Sequence, residues 1–215
     1  GDQVAFTTAE GVFELSSQSL RVEIIKLSSL IDVVALEYDK SGSLWAFPSD
    51  ASLPVEVYDR TTVVRTLDSP FSGLRLAAAI APEGTRVVQS IQTEDAESFL
   101  DVGVVLRDAN SIPLALNNGL RVQPVLGTPI AVSWQEPASI RVLETTASGL
   151  TAFSEYSISG PRTQLPMPPN IGIELHTAAS SASSYMLSEA GEVWLFSANS
   201  WRRIATGVTS ISQLR

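Results

Sequence analysis

Apolar, β-branched runs of strand length alternate with short polar turns along the whole chain, and one turn signal returns about every 40–50 residues, the pitch of a four-stranded repeat. Five polar stretches, Ser16–Ser19, Asp59-Arg60, Asp108–Ser111, Ser159–Arg162 and Ala198–Ser200, each precede a last short strand. Those strands are Leu20–Ile25, Thr62–Leu67, Ile112–Leu116, Thr163–Leu165 and Trp201–Ala205. Helical periodicity is nearly absent, because Pro, Gly, Ser and Thr interrupt almost every window long enough for three helical turns. Turn chemistry supports the same division. Asp39-Lys40-Ser41-Gly42 and Pro82-Glu83-Gly84 place a self-bonding Asp, a fixed-φ Pro and glycines where tight turns want them.

A four-stranded unit repeated around an axis is a β-propeller blade. The pattern therefore predicts an all-β, five-bladed propeller in one domain spanning 1–215. The blades are 1–27 plus 208–215, 28–69, 70–118, 119–168 and 169–207; a six-bladed or incomplete ring is the alternative. The first unit has three strands, Gln3–Thr7, Gly11–Leu15 and Leu20–Ile25, and one spare strand, Val208–Leu214, follows the fifth. An open sheet edge invites aggregation, so the tail is expected to become the innermost strand of the first blade and close the ring. Ile31–Tyr38 and Leu74–Ile80 read as inner strands, the former buried on both faces. Leu165–Asn170 reads as a link between blades.

Composition narrows the function classes. The chain has 215 residues, 44% apolar and 17% charged, which is ample material for a core, and it carries a formal charge of −9. An acidic surface repels a phosphate backbone, so no nucleic-acid partner is expected. No apolar stretch approaches the length of a membrane-spanning helix, and the opening residues do not read as a signal peptide. Cysteine is absent, which removes thiolate chemistry, disulfides and cysteine-based zinc sites. The single histidine, His176, is the only possible base for a Ser-His-Asp triad, and no G-x-S-x-G elbow accompanies it. It reads as a structural residue bonded inside a blade. Glu94, Asp95, Glu97 and Asp101 lack calcium-loop spacing and read as a solvated hairpin tip. Trp45, Trp194 and Trp201 read as anchors between blades.

Three blocks resemble a known family. Phe71–Val88 (F-S-G-L-R-L-A-A-A-I-A-P-E-G-T-R-V-V), Gly103–Leu116 (G-V-V-L-R-D-A-N-S-I-P-L-A-L) and Gly191–Gly207 (G-E-V-W-L-F-S-A-N-S-W-R-R-I-A-T-G) are similar, in order, to the C-terminal propeller of actinobacterial LpqB-type lipoproteins. The resemblance implies a non-enzymatic envelope protein on the outer face of the cytoplasmic membrane. Its implied partner is the extracytoplasmic domain of a sensor histidine kinase of the MtrA/MtrB two-component type. Members reach the membrane through a lipidated N-terminal cysteine and carry a GerMN-like module; neither is found in this chain, which reads as the propeller alone. The family supplies no catalytic, metal or cofactor residues, and none is assigned. The expected contact loops are Thr93–Ser98, with Glu94, Asp95 and Glu97, and Ala178–Ser184, with Ser180 and Ser181.

Two rival readings stay open at this level. One is a carboxylate-dependent glycan hydrolase or lyase using inward acids, for which Asp32, Glu37 and Glu174 are the inner-strand candidates. The other is a sugar- or peptide-binding propeller with Trp134 or Trp45 as a stacking platform.

Overall fold

The computed structural model describes residues 2–18, 21–59, 64–122, 127–136, 138–158, 162–177 and 183–211. All regular structure in them is strand. The first sheet holds β1 (Asp2–Thr8), β2 (Gly11–Gln18) and β3 (Arg21–Ser28); the second β4 (Val33–Tyr38), β5 (Leu44–Pro48), β6 (Val55–Tyr58) and β7 (Val64–Leu67). The third holds β8 (Leu74–Ile80), β9 (Arg86–Gln92), β10 (Ser98–Arg107) and β11 (Pro113–Val122). The fourth holds β12 (Gly127–Glu136), β13 (Ser139–Thr146), β14 (Thr151–Ser157) and β15 (Arg162–Gln164); the fifth β16 (Gly172–Thr177), β17 (Ser184–Ser188), β18 (Glu192–Ser197) and β19 (Ser200–Thr206). Each is an antiparallel meander in sequence order, and the five are the blades of a β-propeller. The last strand of each unit lies where the repeated turn signal places it.

Local chemistry explains the hairpins. Asp39 Oδ1 accepts the N–H groups of Ser41 at 2.9 Å and Ser43 at 3.1 Å, closing the β4–β5 turn. Asp108 does the same between β10 and β11, accepting from Asn110 at 2.8 Å and Ile112 at 2.9 Å. A side chain that caps its own turn makes each hairpin independent of distant contacts.

The core lies between blades. Trp45, Phe47 and Val57 of the second blade pack on Ala78, Ile80 and Val87 of the third. Trp134, Ile140 and Val142 of the fourth pack on Val88, Leu100 and Val102 of the third. Phe153 meets Phe196 and Trp201 across the fourth and fifth blades, with ring centroids 5.0 and 5.1 Å apart. Two indoles tie these seams with hydrogen bonds: Trp134 Nε1 donates to the Ala79 carbonyl at 3.0 Å and Trp201 Nε1 to the Pro166 carbonyl at 3.0 Å. Trp45 packs in its seam but donates within its own blade, to Asp39 Oδ2 at 3.1 Å. Trp45 and Trp201 are the expected anchors. Trp194 bonds within its own blade, to Glu192 at 3.2 Å.

Burial corrects one expectation. The inner strand β4 is not buried on both faces; all but one of its residues are half-buried, whereas every residue of the second strand β5 is buried. An inner strand has one edge on the central channel. The second strand has a neighbour on each edge and another blade against each face.

The first blade shows how the ring meets itself. Only Ser29–Asp32 link β3 to β4, so β3 ends at the rim where the inner strands begin, as β7, β11 and β15 do. That makes β3 the outermost strand and β1 the second. The innermost place is approached by the tail. Val208 N–H donates to the Gly191 carbonyl at 3.0 Å, Ile211 N–H donates to Glu174 Oε2 at 2.9 Å, and Ser210 and Ile211 line the channel. Gly207–Ile211 carry no strand, and the rest of the expected closing strand Val208–Leu214 lies outside the described residues.

Candidate functional site

The inner strands enclose a cavity of about 510 Å³, within the range of ligand-binding pockets. Its wall has a repeated construction. The pairing of inner and second strand shifts register between Val33 and Ala35, Arg75 and Ala77, Pro129 and Ala131, and Gly172 and Glu174. A bulge inserts one residue and re-aims its side chain. The inserted residues are Val34, Leu76, Ile130 and Ile173, and all four line the cavity as an aliphatic collar. Beyond them the wall is mixed, with Ala35, Ala77, Ala78 and Ala131 beside Gln3 and Thr7 of β1, Tyr38 and Ser210.

Three ionisable side chains other than tyrosine line it: Glu37, Glu174 and His176. Glu37 Oε2 accepts the Ile80 N–H at 2.8 Å and so ties the second blade to the third. Glu174 Oε2 accepts the Ile211 N–H and lies 3.9 Å from His176 Nε2. Burial pushes the Glu174 carboxyl up, but the neighbouring imidazole and the donors at Ile211 and Ser210 outweigh it and hold the group below the ordinary glutamate range. The sign follows from linkage. A depressed folded-state pKa gives stabilisation that is present above the ordinary glutamate value and is lost as pH falls through the lowered one. Glu174→Gln is therefore expected to lower the protection of the Ile211 amide against hydrogen exchange at neutral pH, and acidification of the parent should lower the same protection relative to the intrinsic rate at each pH. Unchanged exchange in the variant would mean that the carboxylate does not hold the tail.

These contacts limit the chemistry available. Glu37 and Glu174, on the second and fifth blades, each engage a main-chain amide, which ties both to the scaffold. Asp32, the third inward candidate, lies in a bend at positive φ (55°), is exposed, and is not part of the channel wall. His176 lines the channel from β16, beside Glu174 of the same strand. Among the described residues no group of three or more His, Cys, Asp or Glu side chains could hold a metal ion. Trp45 and Trp134 cannot serve as stacking platforms, for they are 0% and 5% exposed and fill blade seams.

The expected contact loops fall at opposite ends of the blades. Thr93–Glu97 join β9 to β10 at the end where the inner strands begin; Thr93 N–H donates to the Glu97 carbonyl at 2.8 Å, and Glu94, Asp95 and Glu97 are exposed. Ser180 and Ser181 lie outside the described residues, and the strand ends that flank them, Thr177 and Ser184, are at the other end. No single flat partner surface covers both. At the first end the Ala51 N–H donates to the Gly73 carbonyl at 2.9 Å and joins the second blade to the third, and the Glu189 N–H donates to the Ile171 carbonyl at 3.0 Å within the fifth blade. Sequence reasoning missed the exposed apolar residues there, because Ile31 and Leu74 read as the first residues of inner strands.

No family model matches the chain, and no curated protein does. Solved structures do. The β-propeller domain of Cps50 (Swd1) from Myceliophteria thermophila aligns with a TM-score of 0.66 at 15% identity, covering 93% of this chain and 65% of that one. A putative TolB from Agrobacterium tumefaciens aligns with a TM-score of 0.63 at 13% identity, covering 86% of this chain and 66% of that one. The chain thus spans about two thirds of the length of these structures. At such identities the likeness establishes the fold: the chain is built as a β-propeller.

Proposed function

We propose that this propeller is a protein-interaction module, not an enzyme, and that it belongs to an LpqB-like lipoprotein of the cell envelope. It sits on the outer face of the cytoplasmic membrane, held by the lipid anchor of the whole lipoprotein. Its partner is the extracytoplasmic domain of a two-component sensor kinase of the MtrA/MtrB type. The observation that carries the reading is a contrast. The channel's two carboxylates are tied to main-chain amides, while one end of the disc presents exposed loops. The three blocks resembling the LpqB-type propeller point to the particular partner, and propellers among the solved structures support a platform role. Such a platform acts by binding two signalling states unequally, and a difference on the order of 1–3 kcal/mol is typical of such coupling. Titration calorimetry with the isolated sensor domain should give saturable binding that weakens when Glu94, Asp95 and Glu97 are all changed to Lys. Absence of heat and of any co-elution would overturn the assignment of that partner.

A further inference from the structure

Resting on the interaction-module reading, we infer that the contact face is the end of the disc where the inner strands begin, and that it takes a protein surface carrying both apolar and basic side chains.

Apolar exposure is concentrated there. Ile31, Leu53, Leu74, Leu150, Met167 and Ile171 are between 40% and 56% exposed, and all stand in loops or at strand starts at this end. Val34 and Ile173, the exposed members of the channel collar, continue the patch into the mouth. The other large exposed apolar residues lie on the outer strands β3, β10, β11 and β19, and none of the described loops at the opposite end carries one. A patch of this kind on one face marks an interaction surface, whereas scattered single residues do not.

Charge on the same end has one sign. Asp32, Asp50, Glu94, Asp95, Glu97 and Glu189 occupy its loops. No Lys or Arg stands in the described loops there. The nearest cations are elsewhere: Arg75 lies fully buried beneath the face, Lys26 stands over the Phe13 ring at 5.9 Å on β3, and Arg203 pairs with Glu192 at 2.5 Å on β19. The opposite end is mixed: Lys40 pairs with Glu83 at 2.9 Å, and Arg107 lies 3.5 Å from Asp39. A face on which acidic and apolar side chains are interspersed repels a second copy of itself and an anionic membrane alike. It attracts a partner of complementary pattern, speeds encounter and makes binding salt-dependent.

The test uses defined probes. A short helical Lys/Leu peptide, its Glu/Leu counterpart and a Lys/Ser peptide are titrated against the intact chain by fluorescence anisotropy at low and high salt. The Lys/Leu peptide should bind in a salt-sensitive way. Affinity should fall roughly tenfold or more, the scale of an interface hot spot, in Leu53→Ser/Leu150→Ser and in Glu94→Lys/Asp95→Lys/Glu97→Lys. Val22→Ser/Ile24→Ser, on the exposed side of β3, should leave it unchanged. Thermal unfolding of each variant confirms that it folds. Equal binding of the Glu/Leu peptide, an equal loss in the β3 variant, self-association through this face, or no Lys/Leu binding would each overturn the inference. The two readings fail separately. If the sensor domain does not bind and the Lys/Leu peptide does, the kinase assignment falls and the surface stands. If the sensor domain binds with unchanged affinity to both face variants, the surface falls and the kinase assignment stands.

Discussion

Trp45→Ala is expected to destabilise the fold by about 3–5 kcal/mol, the usual range for deleting a large buried aromatic. Trp45 is 0% exposed and sits in the seam between the second and third blades. Its loss leaves a cavity that rigid sheets on both sides cannot collapse to fill. It also removes the indole N–H from Asp39 Oδ2, a buried carboxylate otherwise held by the Ser41 and Ser43 amides, the Ser41 hydroxyl and Arg107. Trp45→Phe separates the two effects, since it keeps much of the ring and drops only the donor. That variant should lose roughly 1–2 kcal/mol for the unmade bond, plus a smaller cavity term. Urea unfolding followed by far-ultraviolet circular dichroism reads both, and equal midpoints for parent and Trp45→Ala would refute the seam as a principal source of stability.

Gly73→Ala is expected to cost on the order of 3 kcal/mol, combining a disfavoured backbone conformation with a collision. Gly73 has φ +109°, and an added Cβ would lie 2.4 Å from the Gln92 carbonyl oxygen, a main-chain atom that cannot swing aside. The residue immediately precedes the inner strand of the third blade, and its carbonyl receives the Ala51 N–H from the second. Relief of the collision would therefore pull on the joint between two blades. Gly149→Ala is the matched control. It also has positive φ, +76°, but nothing lies within 4 Å of the added Cβ. It should cost about 1 kcal/mol, for backbone strain alone. Similar losses at the two sites would show that the close approach at Gly73 is easily relaxed.

Much of the fold was legible because its signals are local. Asp39 and Asp108 close their turns with their own side chains, so the hairpins can be read without knowing what they pack against. Bulky indoles in strands, as at Trp45 and Trp201, mark blade seams because nothing else in a thin sheet buries so much surface. The site was less legible. Whether a strand is half-buried or sealed depends on its rank within the blade, so the apolar run Ile31–Tyr38 reads as more buried than β4 is. Ile31 and Leu74 are aliphatic and adjoin strands, and only the assembled disc reveals them as exposed at its mouth. The bulges at Val34, Leu76, Ile130 and Ile173 leave no residue signature, since they are set by pairing with the second strand. The division of the two expected contact loops between opposite ends follows from strand parity once the blades are counted.

The central claim is that a partner meets the end of the disc where the inner strands begin. Hydrogen–deuterium exchange on the complex with the sensor domain tests it most directly. The account predicts protection at Thr93–Glu97, at Ser49–Pro54 and at Ala147–Leu150, with β3 and β19 unchanged. Protection confined to the outer strands, or to the turn at Asp39–Ser43, would contradict it.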